Sequence, residues 1–171
     1  DNYLAGLNTV FAGETDLSVE LLTQKGRNNL SFGTGEEIIF FLKAGKSSYV
    51  NIFTTDADNR TFMIYPNRFT GSHPRIRAGE VTLLPDQSYN RSFMFQVSGR
   101  TGYEMVFAFA SDTPLPRLPG MTDTGIFGLK LVEQDVRDIK DYFTRYAKKT
   151  GAALSWDALS IRTYPADEKI E

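Results

Sequence analysis

Few residues in this chain are of the types that do chemistry, and their spacing limits what that chemistry could be. Histidine occurs once, at His73, and cysteine not at all. Without cysteine there can be no disulfide, thiolate zinc site, iron–sulfur cluster or cysteine nucleophile, and one histidine cannot build a His-only metal site. His73 stands in Gly71-Ser72-His73-Pro74, with Asp56 and Asp58 upstream. A Ser/His/Asp triad needs its base within hydrogen-bond reach of an activated nucleophile. The adjacent Ser72 is a poor nucleophile for that base, and no G-x-S-x-G elbow occurs, so His73 reads as an exposed loop residue.

Asp56-Ala57-Asp58-Asn59-Arg60 opens like a calcium loop, in which a hard dication gathers about six to eight oxygens. The likeness then fails, with Arg60 in the third ligand position, Thr61 where glycine is required and Asn67 in the terminal acidic position. A plain hairpin turn is the expectation. Carboxylates for glycoside hydrolysis could be drawn from Asp56, Asp58, Glu80, Glu104 and Asp112, because such pairs assemble from distant strands. Nothing in the sequence selects two of them. No P-loop, dinucleotide fingerprint or H-E-x-x-H is present.

The net charge of −2 argues against generic nucleic-acid binding. It hides a local excess: Arg60, Arg68, Arg75, Arg77, Arg91 and Arg100 face only Glu80 and Asp86 in that segment, a net of +4. Such a patch could meet phosphate or an acidic partner, but no regular spacing on one element is visible, and solvated strand and loop positions explain it. Aromatic pairs such as Phe93/Phe95 and Phe107/Phe109 read as core packing rather than stacking platforms.

The elements that must position these residues are mainly strands. A chain of 171 residues suits one domain of about 100–200 residues, and 13% aromatics with 13 Phe and 8 Tyr suits pleated, half-buried surfaces. The longest apolar runs, Ile38–Leu42 and Val106–Ala110, fall far short of the roughly 20 residues that span a bilayer. The opening residues lack a basic n-region and a long apolar core, so Asp1 reads as a processed end or an artificial boundary, with targeting information outside the chain.

The first dozen residues read as a lead-in or an edge segment. Leu17, Val19 and Leu21 alternate with Ser18 and Glu20, as a strand requires. Ile38–Leu42 is continuous and apolar, as in a strand buried on both faces. Tyr49–Thr55 and Thr61–Tyr65 flank the Asp56–Arg60 loop as a hairpin, which Pro66-Asn67 ends. Residues 68–79 read as a loop, and Val81–Leu84, Ser92–Val97 and Tyr103–Ala110 as further strands, broken at Pro85–Ser88 and Ser98–Gly102.

Three prolines between Pro114 and Pro119 predict an extended strap. A helix over about Glu133–Lys149 follows, with Val132, Val136, Ile139, Phe143 and Tyr146 as its apolar stripe, early acids, late bases and Gly151 beyond its end. A short strand over Leu159–Tyr164 closes the chain.

The run Gly35-Glu36-Glu37 into an apolar strand, then Ser48 to Phe53 and Ile64-Tyr65-Pro66-Asn67, resembles the bacterial domain of unknown function 4384. So do Ile76 to Glu80, Pro85, and Gly102-Tyr103-Glu104 leading to Ala110-Ser111. The likeness covers about Leu17 to Pro114. It implies a β-sandwich accessory module, commonly attached to other domains in envelope or signalling proteins, with no established activity and no catalytic residues to carry over. The bacterial resemblance also makes chance matches of the glycosylation patterns at Asn29, Asn59 and Asn90.

The expectation is therefore a mainly β protein: an Ig-like antiparallel β-sandwich with a C-terminal helix and short strand packed on it. Residues 1–16 form the lead-in, 17–112 the sandwich core, 113–125 the Pro-rich strap and 126–171 the helical extension. The expected function is a non-catalytic, extracytoplasmic binding or assembly module of a bacterial envelope protein, in the periplasm or associated with the outer membrane. No catalytic residue, metal, cofactor or nucleic-acid partner is expected. A protein or glycan partner would dock on Asp56, Asp58, Asn59, Arg60, Tyr65, Asn67, Arg68, His73, Arg75 and Arg77, since loops carry function more often than core strands. The alternative is a glycan or peptidoglycan hydrolase with carboxylates from separate strands. It requires a cleft holding two carboxylates, one with a raised pKa.

Overall fold

The computed structural model describes residues 9–10, 17–85, 94–126 and 128–167. The lead-in apart from Thr9–Val10, and the expected features at 86–93 including Arg91 and Phe93, lie outside the described residues. The strands are β1 (Thr9–Val10), β2 (Val19–Thr23), β3 (Leu30–Gly33), β4 (Glu37–Ile38), β5 (Phe40–Ala44), β6 (Ser48–Thr55) and β7 (Thr61–Tyr65). They continue as β8 (Arg75–Ile76), β9 (Val81–Leu84), β10 (Phe95–Gln96), β11 (Tyr103–Ser111), β12 (Thr122–Asp123), β13 (Lys130–Val132) and β14 (Leu154–Tyr164), with the helix α1 (Val136–Thr150) between the last two.

A large sheet runs in the order β1-β14-β11-β6-β7-β13-β12, with β8 added to β6 and β3 lying parallel to β14. A smaller antiparallel sheet runs β2-β5-β9, and β4 pairs with β10. The protein is mainly β, built of several antiparallel sheets that do not close into a barrel.

Alternation along the strands places a core on each face of the large sheet. On one face Val50, Ile52, Val106, Ala108, Leu159 and Ile161 pack against Val19, Leu21, Phe40, Leu42 and Leu84 of the smaller sheet. On the other, Phe53, Phe107, Phe109 and Trp156 meet Ile139, Phe143 and Ala147 of α1, and Leu115 and Leu118 of the strap. Phe109 lies edge-on to Phe143 at 5.0 Å and stacks on Trp156 at 6.0 Å. Such pairs add about 0.5–1.5 kcal/mol beyond their burial.

Several expectations need correction. The run Ile38–Leu42 is not one strand buried on both faces. It breaks at Ile39, whose N–H donates to Gln24 Oε1 at 2.9 Å, and beyond the break Phe40 and Leu42 turn inward while Phe41 is half-buried. The helix starts later than Glu133 because Asp135 caps it, accepting from Asp138 N at 2.9 Å. Val132, assigned to the helix stripe, lies on β13. The strap leads into the β12–β13 hairpin, which extends the large sheet beyond β7.

The largest correction concerns the tail. Leu159–Tyr164 is the second half of an 11-residue strand that pairs with β11 from Leu154 to Arg162 and carries β1 and β3 on its other side. It is a central strand of the large sheet rather than an appendage.

Candidate functional site

The ten residues expected to form one recognition surface fall into three groups. Asp56, Asp58, Asn59 and Arg60 make the turn at one end of the β6–β7 hairpin. Asp56 Oδ1 accepts from the backbone N–H of Asp58 at 3.0 Å and of Arg60 at 2.9 Å, while Oδ2 accepts from Arg60 Nε at 3.0 Å. Asn59 takes the left-handed conformation at φ 63°, which asparagine tolerates. Arg60 also reaches Asp58 at 3.5 Å, and Asp58 meets Arg100 at 3.3 Å. The carboxylate oxygens that a calcium loop would aim at a cation are here turned to the loop's own donors.

At the opposite end of β7, Tyr65 and Asn67 are buried, so they build the turn and do not belong to the exposed surface expected of them. Asn67 ties the turn together: its Nδ2 donates to Ile64 O at 3.0 Å and its Oδ1 accepts from Phe69 N at 2.9 Å. Arg68 and His73, both exposed, project from this turn. Arg75 and Arg77 sit farther along, on and just after β8, where Arg75 lies over the Tyr49 ring at 5.3 Å and Arg77 reaches Glu80 at 3.9 Å.

Asn67, Arg68 and His73 of the second group border a half-open cleft of about 570 Å³, which Tyr65 does not line. One wall is the turn, with Pro66, Asn67, Arg68, Ser72 and His73; the other is the strap, with Leu115, Pro116, Arg117 and Leu118. Met63 and Met121 give it an apolar floor beside Asn51, and Gly128 and Lys130 complete the lining. Its volume lies within the range of about 300–1,000 Å³ common for ligand sites.

Both walls are held in place. Tyr146 Oη of α1 donates to Pro114 O at 3.1 Å and bonds Thr113 Oγ1 at 2.9 Å, and Gln134 Nε2, just before the helix cap, donates to Pro119 O at 2.8 Å, so the strap is held at both ends. On the other side, a Cβ at Gly128, where φ is +76°, would stand 2.8 Å from Arg68 N. Only glycine lets the β12–β13 loop lie this close to the turn.

Among the described residues the cations of the cleft are Arg68, Arg117 and Lys130, with His73 beside them, and no carboxylate lines it. Asp123 stands nearby and accepts from Lys130 Nζ at 3.0 Å. The Gly125 N–H, then Lys130 and Arg68, hold its carboxyl below the ordinary aspartate range.

The carboxylates weighed for hydrolysis do not meet in this cleft. Asp112 accepts from Ala153 N at 3.0 Å, and Glu80 pairs with Arg77. Glu104, on β11, lies near Asp56 at the hairpin end of the sheet. Burial pushes its carboxyl up, a Thr163 hydrogen bond opposes this, and the Asp56 charge reinforces it.

Two features escaped sequence reasoning. Arg117 and Lys130 complete the cleft from segments valued only as strap and as pre-helix chain; one arginine among three prolines was the available signal. The other is Asp157, fully buried on β14. It is clamped by Arg27 at 2.7 and 3.0 Å and accepts from Leu21 N at 2.9 Å. An acid within the apolar run Ala152–Ile161 was its signal. The Asp157 hydrogen bond raises the Arg27 guanidinium above its ordinary value.

The fold and cleft define a mainly β protein with a helix-braced, basic groove on its larger sheet. Residues 31–114 match the family described as Domain of unknown function (DUF4384), the family that the sequence resembles. No curated protein matches the chain. Among the described residues no helix is long and apolar enough to cross a membrane.

Proposed function

We propose that this chain is a non-catalytic binding or assembly module of a bacterial envelope protein, acting outside the cytoplasm and docking a protein or glycan partner in the strap–turn cleft. The observation that carries this reading is the cleft itself: two walls fixed by hydrogen bonds, an apolar floor, and a lining of cations without a carboxylate. Preorganised walls lower the ordering cost of binding. The accompanying fold reading is an Ig-like antiparallel sandwich, supported by the smaller sheet facing the larger across one shared core. Assignment to the envelope rests on the family likeness.

The test is capture from an envelope extract of the parent organism, using the full chain beside an Arg68→Gln/Arg117→Gln variant. Both side chains are exposed, so the variant should fold normally. A partner retained by the parent chain and lost by the variant is the expected result; equal retention, or no partner for either, counts against the reading.

A second reading, hydrolysis of glycan or peptidoglycan, draws on one observation: Glu104 has a raised pKa close to Asp56. It requires turnover of a peptidoglycan or oligosaccharide substrate that Glu104→Gln abolishes. Absence of turnover by the parent chain removes it.

A further inference from the structure

Charge selects the chemistry that the cleft can take. Among the described residues no carboxylate lines the cleft, and Asp123, beside it, pairs with Lys130 and faces Arg68, which leaves the rim cationic. The Arg117 guanidinium has no ionic partner among the described residues. Guanidinium groups bind carboxylates by paired, charge-assisted hydrogen bonds, and Arg68 and Arg117 stand on opposite walls. Between them the half-buried Met63 and Met121 offer apolar, adaptable surface. A neutral glycan would leave the cations unmatched, and a compact ion would leave the apolar floor uncovered. A half-open groove between a strap and a turn admits a chain passing through it.

We propose that the cleft takes an extended acidic segment of a protein partner, with its carboxylates on Arg68 and Arg117 and neighbouring apolar side chains on Met63 and Met121. This rests on the docking reading above and narrows it to one ligand class.

The probe is a short dye-labelled peptide alternating glutamate with leucine, titrated with the full chain and followed by fluorescence anisotropy. Glutamine–leucine and lysine–leucine peptides serve as comparators. The glutamate peptide should bind, with affinity falling as salt is raised, and about tenfold more tightly than the glutamine peptide. Arg68→Gln/Arg117→Gln should lose about the same factor. Arg75→Gln/Arg77→Gln, which removes exposed cations outside the cleft, should bind as the parent does.

Equal binding of the glutamate and glutamine peptides, equal loss in the Arg75/Arg77 variant, or no binding of the glutamate peptide overturns the inference. If the glutamate peptide fails while extract capture still depends on Arg68 and Arg117, the acidic-segment inference falls and docking stands. If both fail, docking falls with it.

Discussion

At the scale of single residues, the Arg27–Asp157 pair holds two layers together. Asp157 is fully buried, whereas the Arg27 side chain is 29% exposed, so its two halves should respond differently to removal. Arg27→Ala strands a buried carboxylate and should cost about 3–5 kcal/mol. Asp157→Ala lets Arg27 turn to water but orphans Leu21 N–H, for a smaller loss of about 1–3 kcal/mol. Urea unfolding of the two variants measures the difference, and the reverse order would contradict this account of the pair.

Glu104 makes a pH-dependent contribution of its own. Its folded pKa is raised, so folding favours its protonated form; that contribution is complete below the unfolded glutamate pKa and is lost as pH rises through the folded value. Glu104→Gln should therefore be more stable than the parent at neutral pH, with the gap closing as the pH falls below the ordinary glutamate range. Thermal melts across that range give the comparison, and a gap that widens on acidification would refute the sign. Neither residue advertises its role by type. Glu104 was visible as one of five loose carboxylates, but only folding decided which lay near another.

At the scale of elements, the strap depends on α1. Tyr146 was legible as a member of the helix stripe, while its hydroxyl contacts with Thr113 and Pro114 depend on how the chain returns across the sheet. Tyr146→Phe should cost only about 1 kcal/mol of stability, the usual worth of such a bond. It should weaken capture of a partner in the cleft by more than that stability loss explains, because one wall loses its anchor. Parallel melts and binding titrations separate the two effects; unchanged binding would mean that the strap needs no such support.

Local pattern served best where it was strongest: Leu17, Val19 and Leu21 are all fully buried, and the β6–β7 hairpin turns at Asp56–Arg60. Pattern misled where partners override it. Ile38–Leu42 breaks because the Gln24 side chain bonds Glu37 O and Ile39 N, on either side of Ile38. Tyr65 and Asn67 read as exposed turn residues, yet Asn67 must satisfy backbone groups from within the turn.

For the whole molecule, the family match and the folding unit differ in extent. Residues 31–114 contain β6 and β11, but β11 pairs on one side with β14, which lies outside the match, as do α1 and most of the strap. A fragment limited to 31–114 would expose Phe53, Phe107 and Phe109, all fully buried in the whole chain. It should fail to fold, seen as collapsed amide dispersion in its NMR spectrum, while the full chain gives a dispersed one. A folded fragment would show that the helix side is dispensable. Periodicity revealed the end of β14 but not its central position, since strand order is set by long-range pairing that no local window contains.

The central claim is that this molecule works by docking a partner between the strap and the Asn67 turn. The most direct test is a photo-crosslinking side chain at Ser72, in the cleft wall, beside one at Arg137 on the exposed side of α1. Each full-length variant would be irradiated in envelope extract of the parent organism. The account predicts a discrete adduct from Ser72, lost in the Arg68→Gln/Arg117→Gln background, and none from Arg137. The same adducts from both positions, or none from Ser72, would contradict it.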